Sequence, residues 1–344
     1  KSRKVENQIQ EPLIQEIKIF AKQYFKHHCF MALVIDIDKS GLIIDQIRTE
    51  QKKLVHIILK LVSIQIPESP IDSHIKHIID QSDKDLPFIL EFFDSSFNKE
   101  IRDILMPIID PEISFKQKSI DVENKKYNLQ YNLNNWVKSK NQWKSAISVD
   151  YIINHNKSLI EEINWDSVAP SQYLGEIFDN YKEYETTIPI NKFKKRSEQT
   201  MFTIIEKTIL LKTVDLFQNI PGDLLSQISQ ISRAKNYENG EIIFKEGDAG
   251  DSMFIVLDGE ITIKKGDKLI AKLERGASLG EMALLDHETR SADAMAEKDS
   301  VLLKINQDVF YELMESNADI MKQIIKLLTS RIREANSKLE QSLK

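Results

Sequence analysis

Glycine and proline are spread so unevenly that they divide the chain into two architectures. Of the 10 Gly in 344 residues, all but Gly41 and Gly175 fall between Gly222 and Gly280. Each of the 9 Pro lies at or before Pro221. Glycine supplies the positive φ of tight turns, and strands joined by such turns need it repeatedly. The early stretch is therefore expected to be helical, and the late one to hold short strands. The junction is expected between about residues 186 and 198, where Pro189 and Lys192-Phe-Lys-Lys-Arg196 interrupt the apolar pattern. This gives an expected helical region over 1–195 and a second domain over 196–344. A chain of this length exceeds one small core, in agreement with two domains.

The apolar residues of the first region recur at helical spacing. Leu54, Ile57, Ile58, Leu61 and Val62 form one stripe. Ile101, Ile104, Leu105 and Ile108 form another, with Asn98 as expected N-cap and Pro107 near the end. Trp136 to Ile153 reads as a further helix. Helices of this kind bury their apolar faces by stacking in pairs. The segment Glu112-Ile-Ser-Phe115 fits no pattern, and the lysine-rich run 116–126 reads as a solvated loop.

From Tyr237 the period changes. Glu241 to Lys245 and Ser252 to Leu257 are short β-branched and aromatic runs. Ile261, Ile263, Leu269, Ala271 and Leu273 alternate with polar neighbours. Asn239-Gly240, Asp258-Gly259 and Gly266-Asp267 mark turns, and 301–305 reads as one more strand. The expected fold class is therefore α+β: an all-α N-terminal region, then an antiparallel roll with flanking helices.

Composition narrows the function. The net charge of −6 leaves no basic excess to neutralise phosphates, so nucleic acid is not an expected partner. The single cysteine, Cys29, allows no internal disulfide and suits a reducing, cytoplasmic setting. No apolar run reaches the roughly 20 residues of a membrane span.

The segment Ser278-Leu-Gly-Glu-Met-Ala-Leu-Leu-Asp-His-Glu-Thr-Arg-Ser-Ala292 carries the chemistry. Gly280 lets the backbone approach a ligand closely. The turn at Met282 and Ala283 offers backbone N–H groups to an anion. Arg290 offers a two-pronged cation to phosphate oxygens. Glu281 can accept from a sugar hydroxyl, and Ser291 can donate to phosphate or base.

This segment resembles the phosphate-binding cassette of cyclic-nucleotide-binding domains, the β-roll of the catabolite-activator and protein-kinase-A regulatory type. The likeness extends to Leu211–Leu225, similar to the family's entry helices, and to Gly240–Glu260, similar to its first strands and turns. It covers roughly residues 207–344. It implies a cyclic purine nucleotide as ligand, cAMP favoured over cGMP, with Glu281 on the ribose 2′-hydroxyl. The cyclic phosphate would fall to Arg290 and the backbone of Met282 and Ala283, assisted by Ser291 and given room by Gly280. The sequence departs from the pattern at Leu279, where Phe is usual, at Glu288 and Thr289 before the Arg, and at Asp293. Glu288 and Asp293 bring negative charge close to an anion site. Function follows as a non-catalytic regulatory sensor. The alternatives are a scaffold of the same fold without ligand, or a transcription regulator lacking its DNA-binding part.

The run Asp85 to Asp110 resembles HEAT-like repeats, which precede such domains in bacterial ATP/ADP-carrier-like transporter fusions. That resemblance implies a membrane transporter linked ahead of Lys1 and a place on the cytoplasmic side of the membrane. The last helix, from about Ala318, carries a stripe of Met321, Ile325, Leu328, Ile332, Ala335 and Leu339. It suits either packing on the roll or a homodimer contact. The chain stops at Lys344, so no helix-turn-helix is expected after it.

Other clusters read as ordinary structure. His27-His28-Cys29 places neighbours about 100° apart on a helix, unsuited to one metal ion. His74 and His77, near Asp72 and Asp80, read as a solvated helix face. Trp136, Trp143 and Trp165 read as core or groove aromatics. No catalytic triad, Walker loop, dinucleotide fingerprint or zinc motif is present, so neither enzyme activity, cofactor nor metal is expected.

Overall fold

A computed structural model of the chain describes residues 11–65, 71, 75, 78–79, 86–110, 128–180, 188, 202–285, 288–318, 320–322, 324–326, 328–329 and 333. The expected junction at 195/196, the segment 112–126, and His74 and His77 lie outside these residues. The chain forms two compact units, 1–138 and 139–344. Helices at 142–180 therefore belong to the same unit as the strands.

The first unit is helical. Among the described residues its helices include α1 (Glu11–Val34), α2 (Leu42–Gln65), α3 (Leu86–Ser96), α4 (Lys99–Ile109) and α5 (Leu129–Val137). Leu54, Ile58 and Val62 of α2 are buried with Ile101, Leu105 and Ile108 of α4 in one core, as their spacing predicts. Ile57, at the edge of the stripe, stays exposed. The Ile101 N–H donates to Asn98 Oδ1 at 3.0 Å, so Asn98 caps α4. His27 Nε2 lies 3.2 Å from Glu50 Oε2, and Cys29 is buried.

The stretch from Trp136 to Ile153 is not one helix. It breaks at 138–141 into α5 and α6 (Gln142–His155). The cause is local: Asn141 Oδ1 accepts the Lys144 N–H at 3.0 Å and starts a new helix. Apolar periodicity on both sides hid the cap. Two short 3₁₀ turns then lead to α7 (Gln172–Asn180). Trp143 and Trp165 are core residues, the latter donating from Nε1 to the Ile160 carbonyl at 3.1 Å.

Polar bonds tie α7 to α8 (Ile204–Thr213) and α9 (Gly222–Ile231). Tyr173 Oη lies 3.0 Å from Ser226 Oγ. The buried Glu176 accepts the Ile204 N–H at 2.9 Å. Thr203 and Glu206 form a reciprocal cap at the start of α8. Burial pulls the Lys207 ammonium below its ordinary pKa, and the Glu176 charge opposes this.

Among the described residues, eight strands follow in two antiparallel sheets. They are β1 (Arg233–Tyr237), β2 (Ile242–Phe244), β3 (Ser252–Asp258), β4 (Ile261–Lys265), β5 (Lys268–Leu273), β6 (Ser278–Leu279), β7 (Asp293–Ala296) and β8 (Ser300–Asn306). The sheet orders are β1-β8-β3-β6 and β2-β7-β4-β5. β1 was not expected: Arg-Ala-Lys-Asn-Tyr is a polar edge strand with only Tyr237 buried. The one-turn helix α10 (Glu281–Leu285) lies between β6 and β7 in the sequence, and α11 (Gln307–Ser316) follows β8.

Strand β3 explains why the unit needs two cores. Successive side chains on a strand point to opposite faces. Met253, Ile255 and Leu257 join a core shared with α8, α9 and α11. Phe254 and Val256 join a second core inside the roll, with Leu279, Ala294 and Leu302. Buried on both faces, β3 has an unbroken apolar run.

The last described helical residues correct the expected seam. Ile320 and Ile324 are buried in the helix-side core, whereas Met321 and Ile325 are exposed. Leu328 is partly buried against that core, and Ile332, Ala335 and Leu339 lie outside the described residues. The packed stripe is set one residue earlier than the 321/325 stripe.

Candidate functional site

Arg290 is the centre of the site. Its backbone is clamped to the 245–248 turn: the Gly247 N–H donates to the Arg290 carbonyl at 2.8 Å, and the Arg290 N–H to the Asp248 carbonyl at 2.9 Å. Its side chain runs inward and is only 6% exposed. The guanidinium carbon sits 4.3 Å from the centroid of Phe244 and 5.9 Å from that of Phe254. The two ring faces attract the cation and shield it from water.

The guanidinium meets only neutral partners. Nη1 donates to the Gly280 carbonyl at 3.4 Å and Nη2 to Ser252 Oγ at 3.3 Å. Nε is buried with no partner. No carboxylate among the described residues forms an ion pair with Arg290. Burial pulls its pKa below the ordinary value, partly opposed by the charges of Asp251 and Asp248. A buried cation without a counter-ion is costly, and an anion entering here would offset that cost.

Gly280 makes the arrangement possible. Its φ is +74°, and a Cβ there would stand 2.3 Å from Arg290 Nη1. The glycine is therefore required twice, by the backbone turn and by the cation packed over it.

Arg290 and Gly280 face a cavity of about 420 Å³. Glu281, Met282, Ser291, Glu288 and Thr289 also line it, over an apolar wall that includes Phe244, Ile263 and Leu273. A buried cation and apolar side chains lining one cavity suit a ligand with both an anionic and an apolar part. Glu281 opens α10 half-buried, and Met282 is exposed. Leu284 anchors α10 in the helix-side core. Tyr311 of α11 donates from Oη to the Leu285 carbonyl at 2.8 Å. The cassette is thus tied to the helix that follows the roll.

The structure brings Gly280, Glu281, Met282, Arg290 and Ser291 to one cavity, with Ala283 in the same helical turn. Ser252, Phe244 and Phe254 were missed by sequence reasoning. They sit in strands where the apolar pattern reads as core alone. Of the two acids flagged near the anion site, Glu288 lines the cavity, whereas Asp293 does not. Asp293 Oδ1 accepts the Glu246 N–H at 2.7 Å and lines a separate hollow.

Residues 234–317 match the family described as the cyclic nucleotide-binding domain. The C-terminal part of the chain carries a cyclic nucleotide-binding domain. Over 121 residues it is 29% identical to human cGMP-dependent protein kinase 2, a match spanning 33% of this chain and 16% of the kinase. Over 135 residues it is 27% identical to the cyclic AMP receptor protein of Thermus thermophilus, covering 38% of this chain and 62% of that protein. Among solved structures it is similar to a cyclic nucleotide-binding-like protein from Brucella abortus, 29% identical with a TM-score of 0.30, over 32% of this chain and 98% of that one. The chain thus spans about one sixth of the length of the kinase it matches. Among the described residues, no helix is long and apolar enough to cross a membrane.

Proposed function

We propose that residues 196–344 bind a cyclic purine nucleotide, cAMP in preference to cGMP, and act as a non-catalytic regulatory module. The observation that carries this reading is the buried Arg290, lacking a carboxylate partner and with Nε unsatisfied at the floor of the cavity. Arg290 takes the cyclic phosphate, helped by the backbone of Met282 and Ala283 and by Ser291. Glu281 accepts from the ribose 2′-hydroxyl, and the purine lies along the apolar wall. The bond from Tyr311 to α10 supports a route from pocket to C-terminal helix, since a ligand that shifts α10 also shifts its anchor. The regulated protein is then one joined to or paired with this chain. The HEAT-like resemblance of 85–110 supports a transporter ahead of Lys1, and the exposed Met321 and Ile325 support a homodimer contact.

Calorimetric titration with cAMP and cGMP tests the site. Wild type is expected to bind and to melt at higher temperature with ligand. Arg290→Ala is expected to lose about 2–4 kcal/mol of binding, and Glu281→Ala about 1.5–3 kcal/mol. Unchanged affinity in Arg290→Ala would put the ligand elsewhere. Glu288 at the cavity favours one other reading, a roll that no longer holds a ligand. Absence of binding to either nucleotide at millimolar concentration would establish it.

A further inference from the structure

The helical unit holds a second cleft, of about 340 Å³, with a different chemistry. Two helices face each other across it. From α1 come Tyr24, His28 and Met31, spaced by four and three residues. From α2 come Arg48, Gln51, Lys52 and Val55, again on one helical face. Ile78, Ile79, Ile108 and Ile109 complete an apolar side. Tyr24 and His28 stack with ring centroids 6.2 Å apart and an interplanar angle of 13°, forming a flat wall.

Among the described residues, the charged groups that line it are of one sign. Arg48 and Lys52 are exposed cations at the mouth, and no carboxylate lines the cleft among the described residues. Gln51 is 7% exposed, and its amide nitrogen is buried without a hydrogen-bond partner. Such an unspent donor costs free energy that an acceptor would recover. An empty core defect would be lined by apolar groups alone. This cleft instead pairs a cationic mouth and an amide with an apolar floor, and its volume lies within the roughly 300–1,000 Å³ of small-molecule sites.

We propose that this cleft is a second binding site, for a small organic anion with an apolar body, of the class of a medium-chain carboxylate. The planar guanidinium of Arg48 matches a carboxylate in two-pronged fashion. Lys52 adds charge at the mouth, and the chain lies between the Tyr24–His28 wall and the isoleucines. The protein thereby carries an input in its helical unit that is independent of the cyclic nucleotide.

Calorimetry of the full chain with decanoate tests this, with decanol as the uncharged control. Wild type is expected to bind decanoate saturably at one site and decanol at least tenfold more weakly. Arg48→Glu alters an exposed position, so the fold is kept, and affinity should fall tenfold or more. Val55→Trp fills the cleft and should abolish binding. Arg290→Ala should bind decanoate as wild type does, which separates this site from the nucleotide cavity. The proposal is overturned if decanoate gives no saturable heat at millimolar concentration. It is also overturned if Arg48→Glu binds as tightly as wild type, or if decanol matches decanoate.

Discussion

The helical unit and the roll solve burial in opposite ways. In the first unit a core of aliphatic and aromatic side chains gathers residues of α1, α2, α3 and α4, and the buried Asp38 carboxylate is held by the Ser40 hydroxyl and the Gly41 and Ile44 N–H groups. In the roll, the two faces of β3 feed two cores, and a cation is enclosed beside the inner one. A helix stripe specifies packing by periodicity alone. The roll also needs backbone exceptions and a buried charge, each of which destabilises it unless something compensates. The proposed nucleotide site rests on that difference. A buried Phe in the first unit serves stability alone, whereas the buried Arg290 in the second also holds a cation beside a cavity.

The largest expected effect tests the helical side. Phe93 is fully buried and packs on Phe97 with ring centroids 5.3 Å apart. Phe93→Ala should cost about 3–5 kcal/mol, the usual loss for a large core aromatic. Urea unfolding should show the loss, and cAMP affinity should stay within twofold of wild type. A matching loss of affinity would mean that the two units do not behave separately.

Two glycines sharpen the same contrast inside the roll. At Gly259, φ is +93° and a Cβ would stand 2.7 Å from the Ser300 Cα, which is backbone and cannot yield. Gly259→Ala should therefore cost about 2–3 kcal/mol of stability and leave nucleotide affinity unaltered. At Gly280 the Cβ would meet the movable end of Arg290. Gly280→Ala should cost about 1–2 kcal/mol of stability, and weaken cAMP binding by about tenfold or more, equal to about 1.4 kcal/mol. Melting curves and titrations on both variants check the pair. Equal affinities would mean that Arg290 need not lie over Gly280 to bind.

Much of this contrast is legible in the sequence. The strands at 242–244, 252–258, 261–265, 268–273 and 300–306 coincide with runs whose period is two or whose apolar content is continuous. The Gly280–Ser291 cassette was legible because its chemistry is local in sequence. The surroundings of Arg290 were not. Ser252 and Phe254 lie in β3 and Phe244 in β2, tens of residues away, and only sheet pairing brings them to the guanidinium. The break at 138–141 escaped because a single Asn side chain outweighs the apolar pattern around it. The polar contacts of Tyr173 and Glu176 with α8 and α9 also carry no periodic signal, although they join 142–180 to the strand-bearing unit.

The smallest effect concerns that junction of helices and roll. Asp150 of α6 is half-buried, and its pKa is raised to about 6 by burial first and by the Glu206 charge second, with Asn154 opposing both. Ionising Asp150 is therefore harder in the folded chain than in the unfolded one. Below about pH 4 the carboxyl is mostly neutral in both states and carries no penalty. As pH rises through the folded value near 6, the folded chain must hold an unfavourable charge, and stability is lost. Asp150→Asn removes the charge and keeps the shape. It should raise stability on the order of 1–2 kcal/mol at about pH 8 and change nothing at about pH 4. Urea unfolding of both proteins at the two pH values measures it. The gain should appear in the transition that cyclic nucleotide also raises, since α6 lies in the same compact unit as the roll. A gain of equal size at both pH values would trace to packing rather than charge. A loss at high pH would mean that the Asp150 carboxylate holds α6 to α8 instead of straining against Glu206.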